Sequence, residues 1–190
     1  MSGSLIDSRL GVEQAICLIE SCGKGDGISS SPLRPRWPWP DEDASRVRDE
    51  SARLLDSPQA QAISAQAKMV WDLAIRQKKA TVWFLRSYRP ATMLVFQMCK
   101  IAAIPCERLL AGHFEDREFP ILTGVAVKLS AAPLKLCDAR PPRVFLNSLV
   151  TLIEAGAPYC VACDWVLAGK ELEAARYASS EAQISFLCPG

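Results

Sequence analysis

The stretch from Leu109 to Asp138 constrains the fold more than any other. Asp116 is placed to cap a helix in which Phe119, Leu122, Ala126 and Leu129 recur at helical spacing. Ser130-Ala131-Ala132-Pro133 then breaks the helix, and an apolar run, Leu134 to Cys137, leads to Asp138. A helix, a short turn and a strand ending in an acid form one unit of an α/β domain.

The same grammar repeats on either side. Residues 60–78 predict a helix with Ile63, Ala67, Val70, Trp71 and Ala74 on one face and cations at its C-terminal end. Ala80 to Leu85 is β-branched, aromatic and continuous, as a buried parallel strand requires. Pro90 opens the next helix at a first-turn position, with Leu94, Met98 and Ile101 on its apolar face, and Pro105 starts a short turn. A helix over 144–155 stops at Gly156, and Tyr159 to Cys163 is a strand reaching Asp164. A polar helix near 170–177 and an edge strand over 183–188 complete the pattern. Such alternation predicts a three-layer α/β sandwich with a mainly parallel sheet over 59–190.

Residues 1–58 read differently. A loosely periodic helix is expected over 4–20, and a polar one over 42–56. Between them, 21–44 are rich in Gly, Ser and Pro, which predicts a flexible arm. Within it Arg34, Arg36, Trp37 and Trp39 interleave cations with aromatics. That is the chemistry of a single-stranded nucleic-acid or partner contact, or of a linker packing back on its domain. Gly23-Lys24-Gly25-Asp26-Gly27 is no phosphate loop: no buried strand precedes it and no Ser or Thr follows the lysine.

The 190 residues carry a net charge of +1, too little for a global field that recruits nucleic acid or anionic membrane. No apolar run approaches the roughly 20 residues of a membrane span, and no export signal is evident. A cytoplasmic location with reduced thiols is therefore expected for the eight cysteines. Cys160 and Cys163 form the single Cys-x-x-Cys. Three residues apart on a strand, their thiols point to opposite faces, so a metal or redox role needs partners from elsewhere. His113, the sole histidine, has no nucleophile tied to it by sequence. Asp138 and Asp164 end strands at the carboxyl edge, where open α/β sheets bind ligands.

The wording of these elements resembles the RecA-like motor core of DnaB-type replicative DNA helicases. Gly112-x-Phe114-x-Asp116-x-Glu118-Phe119-x-x-Leu122 and Leu129-Ser130-x-Ala132-Pro133-Leu134-x-Leu136-x-Asp138 are similar to the middle of that core. Pro105-Cys106-Glu107-Arg108-Leu109 is similar to its Pro-Leu-Glu-Arg-Leu, and Val161-Ala162-Cys163-Asp164-Trp165 resembles its Walker B strand. The resemblance covers about Gln59 to Ala168 and implies an abbreviated RecA-like P-loop NTPase fold. It makes Asp164 the counterpart of the acid that helps to place Mg²⁺ in active members.

The departures from that family touch the chemistry. Ser64, Ala65 and Gln66 stand where Gly-Lys-Thr of the Walker A loop is expected, and Tyr88 stands in the place of the catalytic glutamate. The apolar strand before the loop has shrunk to Arg53-Leu54-Leu55-Asp56. Phosphoryl transfer depends on positioning and charge neutralisation, and the lysine, hydroxyl and base that supply them are missing. The expectation is a degenerate pseudoenzyme without cofactor or metal that acts through a protein partner, a helicase-like oligomer or DNA in replication. The alternatives are an ATP/Mg-binding protein with an altered phosphate loop, a metal- or thiol-dependent protein using Cys160 and Cys163, and a generic α/β domain.

Overall fold

The computed structural model of the protein describes residues 5–23, 49–55, 57–110, 113, 115–140, 142–156 and 158–189. The sheet is built on β2 (Thr81–Leu85), whose five residues Thr-Val-Trp-Phe-Leu are all buried. It lies between β3 (Leu134–Asp138) and β4 (Cys160–Cys163), parallel to both, with Trp83 opposite Leu136 on one side and Ala162 on the other. β5 (Ser185–Leu187) adds parallel to β4, and β1 (Leu5–Asp7) adds antiparallel to β3. The order across the five strands is β1-β3-β2-β4-β5.

Side chains alternate across the pleat and so feed two cores. Trp83, Leu85, Leu134, Leu136 and Ala162 face one helical layer. That layer holds α1 (Ser8–Gly23), α2 (residues 49–55), α3 (Ala60–Trp71, extended by a π turn over Asp72–Arg76), α4 (Pro90–Ala102), α5 (Cys106–Leu110) and α6 (Phe119–Ser130). Val82, Phe84, Cys137, Val161 and Cys163 face the other layer, α7 (Pro142–Glu154) and α8 (Gly169–Glu181). The domain is α/β, with helices on both faces of a mostly parallel sheet. α4 is buried on nearly every side because α1, α3 and α6 surround it where it lies on the sheet. Among the described residues no helix is long and apolar enough to cross a membrane.

Several expectations need correction. Residues 5–23, read from sequence as a short helix over 4–20 ahead of the arm, pack on the sheet: β1 pairs with β3, and Val12, Ala15 and Ile19 of α1 lie in the first core. No strand remnant exists at 53–55; these residues are helical, and Leu54 is buried as a helix residue. The buried face of α6 is Leu122, Val125, Ala126 and Leu129, whereas Phe119 is 58% exposed. Phe119 sits in the first turn, about 70° from the centre of that stripe at 100° per residue, and projects past it. Asp116 is not the cap either. Glu118 occupies that position without a side-chain cap bond, and its carboxylate instead accepts from Arg108 and from the Glu115 N–H. Arg34, Arg36, Trp37, Trp39 and the Lys24 to Gly27 run lie outside the described residues.

Candidate functional site

The connection from β2 to β3 passes through the first helical layer, and those from β3 to β4 and from β4 to β5 pass through the second. The loops leaving β2 and β4 thus diverge at their carboxyl ends, which is the topological switch point where open α/β sheets hold ligands. Asp164 and the loop from Arg86 to Arg89 meet there.

Asp164 follows β4 and is held in line by its own N–H, which donates to the Phe84 carbonyl at 3.2 Å. Its side chain is 1% exposed and turns into the β2 loop. Oδ1 accepts from the Arg86 N–H at 2.7 Å, and Oδ2 from the N–H groups of Ser87 at 2.9 Å and Tyr88 at 3.3 Å. The next N–H, that of Arg89, donates to Glu50 Oε2 of α2 at 3.2 Å, and the Thr92 hydroxyl donates to the same oxygen at 2.8 Å. Four successive backbone donors leading into α4 are therefore taken by two carboxylates of the chain. Such a run of N–H groups before a helix is an anion site; here the anions are internal.

The side chains above this nest are also paired. Arg86 forms an ion pair with Glu171 in the first turn of α8, and its guanidinium lies 4.0 Å from the Trp165 ring centroid. Trp165 Nε1 donates to Glu171 Oε2 at 3.0 Å, and the ring meets Phe145 edge-on, which meets Phe84 in turn. Arg89 pairs with Glu50 at 3.3 Å. Asp138 ends β3 as expected and is held by Arg140 two residues on.

Electrostatics separate the two acids. Burial raises the Asp164 pKa above the ordinary carboxylate value, and the three N–H bonds and the Arg86 charge pull it back only in part. For Asp138, burial also pushes upward, but the hydrogen bonds and charge of Arg140, together with Arg89, outweigh it and leave the carboxyl lowered.

The positions singled out by the helicase resemblance do not gather into a phosphate site. Ser64, Ala65 and Gln66 lie within α3, so no loop is there to wrap a phosphate. Ser64 is half-buried and Ala65 exposed. Gln66 is buried and donates from Nε2 to the Cys163 carbonyl at 2.5 Å and to the Leu187 carbonyl at 2.9 Å, clamping the ends of β4 and β5 together. Tyr88 contributes its backbone N–H and packs its half-buried ring on the first core. Compared with known family models and with curated proteins, the chain matches none. The helicase likeness therefore rests on the residues quoted above.

Cys163 belongs to the second core, and the pleat turns Cys160 to the opposite face, so the two thiols do not converge. Burial pushes Cys160 up to about 11 and Cys163 well above the ordinary thiol value. Among the described residues no three His, Cys, Asp or Glu side chains are grouped to hold a metal ion. His113 is exposed. The roles of Glu50 and Glu171 carried no motif in the sequence; their only signal is acid content near a helix start.

Proposed function

We propose that this chain is a degenerate relative of the RecA-like helicase core that does not turn over ATP and acts through protein or DNA contacts in replication. The observation that carries the reading is the filled nest at the switch point. A triphosphate there would have to displace the Asp164 carboxylate from three backbone donors and would meet its negative charge. The helical setting of Ser64 to Gln66 supports the same reading, because helix backbone donors bond within the helix and are not free for phosphate.

Calorimetric titration with Mg-ATP, together with a phosphate-release assay, tests it. The expected result is no binding and no hydrolysis. Micromolar affinity for Mg-ATP that Asp164→Ala abolishes would overturn it. Affinity that appears only in Asp164→Ala would show that the nest retains its phosphate geometry and is closed by its own acid. The rival nucleotide-binding reading draws on Arg86 and Arg89, which flank the crevice. Both are already engaged, by Glu171 and Glu50.

A further inference from the structure

The edge formed by β4 and β5 brings two cysteines together from distant parts of the chain. Ala162 is the register partner of Leu187, so the next pair along the two parallel strands is Cys163 and Cys188. Phe186 packs on the second core and Leu187 on the first, which returns Cys188 to the face that Cys163 occupies. Gln66 fixes this register, since one amide nitrogen holds the carbonyls of both Cys163 and Leu187. Neighbouring strands lie about 4.8 Å apart, within the roughly 4.4–6.8 Å Cα range that a disulfide spans. Cys163 is buried and Cys188 exposed.

We propose that Cys188 is a thiol-modification site for low-molecular-weight disulfides and that Cys163 is its resolving partner. The Cys188 thiolate attacks one sulfur of the small disulfide, forming a mixed disulfide and releasing one small thiolate. The Cys163 sulfur then attacks the Cys188 sulfur, its proton passing to the small thiolate that departs. The Cys163–Cys188 bond forms, the mixed disulfide breaks, and the second small thiolate leaves. Two protein thiols are oxidised and one small disulfide is reduced to two thiols. A side-by-side parallel pair has to draw its Cβ atoms inward to close the bridge. Such strain makes a disulfide more easily reduced, the property of a labile rather than a structural link. Cys188 follows β5 directly. The link would tie β5 to β4 beside Asp164, independently of whether the crevice binds nucleotide.

The test incubates the reduced full-length protein with oxidised glutathione and follows intact mass and alkylated peptide maps. In the wild type, a glutathione adduct on Cys188 is expected first. It then gives way to protein lighter by two hydrogens, with a peptide joining Cys163 to Cys188. Cys163→Ala should keep the Cys188 adduct and lose the cross-link, and Cys188→Ser should lose both. If Cys163→Ala does not fold, the wild-type map and Cys188→Ser, an exposed change, still decide. A Cys188 adduct that persists in the wild type would overturn the proposal. So would the absence of reaction at Cys188, or a bridge from Cys163 to another cysteine.

Discussion

Asp164→Asn isolates the role of the carboxylate at the switch point. The amide keeps an oxygen for the Arg86 N–H, but its NH₂ replaces the oxygen that accepts from Ser87 at 2.9 Å and Tyr88 at 3.3 Å. Two donors then face a donor. A fully buried donor left without a partner costs about 1–3 kcal/mol; Ser87 is exposed and Tyr88 half-buried, so each N–H belongs at the low end and the loss should be about 2 kcal/mol. For a chain of this size that lowers the melting temperature by roughly 4–8 °C. Urea unfolding should show a lower midpoint at unchanged slope, and the amides of 86–88 should exchange faster with deuterium. The pH dependence has a sign. The folded pKa of Asp164 is raised, so its contribution is fully present below the unfolded value of about 3.9 and is lost as pH rises through the folded one. The advantage of wild type over Asp164→Asn should therefore widen on acidification. A variant within about 0.5 kcal/mol of wild type, with unchanged exchange at 86–88, would refute the filled nest. A gap that narrows in acid would show that the N–H bonds outweigh burial.

Two further outcomes concern positions that sequence and structure treat differently. Leu129→Ala should cost about 2–5 kcal/mol in urea unfolding because Leu129 is wholly buried, whereas Phe119→Ala should cost no more than about 0.5–1 kcal/mol; the reverse ranking would mean that α6 is rotated on the sheet. Asp138→Asn has the opposite pH sign to Asp164→Asn. Its lowered folded pKa gives stability that is present above the unfolded value and lost as pH falls through the folded one. The difference from wild type should therefore be visible at neutral pH and shrink as pH falls below the ordinary carboxylate range in paired denaturant curves.

The strands β2, β3 and β4 were legible because each is a short apolar run bounded by breakers and followed by an acid or a turn. Their neighbours made the parallel arrangement the simplest solution. β1 was not legible. Three residues, Leu5-Ile6-Asp7, carry no periodicity of their own and become a strand only because β3 lies beside them. Residues 53–55 illustrate the same limit, since a brief apolar run fits helix and strand alike and Leu54 is buried either way. In α6 the period was right and the face was turned. Hydrophobicity alone turns Phe119 inward, whereas the packing of α6 against α1 and α4 buries Val125 instead. The site was half visible. Asp164 and Asp138 could be placed at strand ends, but the function of Gln66 depends on carbonyls 97 and 121 residues away, and Asp164 reaches donors 76 to 78 residues back. No local pattern encodes such distances.

The pairing of β1 with β3 also sets a clock on synthesis. Ser8, at the start of α1, donates its hydroxyl to Ala132, 124 residues further on. At about 5–20 residues per second, the ribosome takes roughly 6–25 s to bring that partner out. For that interval α1 lacks β3, and α4, the helix it packs on most, is made only part-way through it. The first described strand to be made thus waits for a partner more than a hundred residues away, longer than the neighbouring strand pairs do. Closure of that edge should be a slow step of folding, governed by the long loop it must shut.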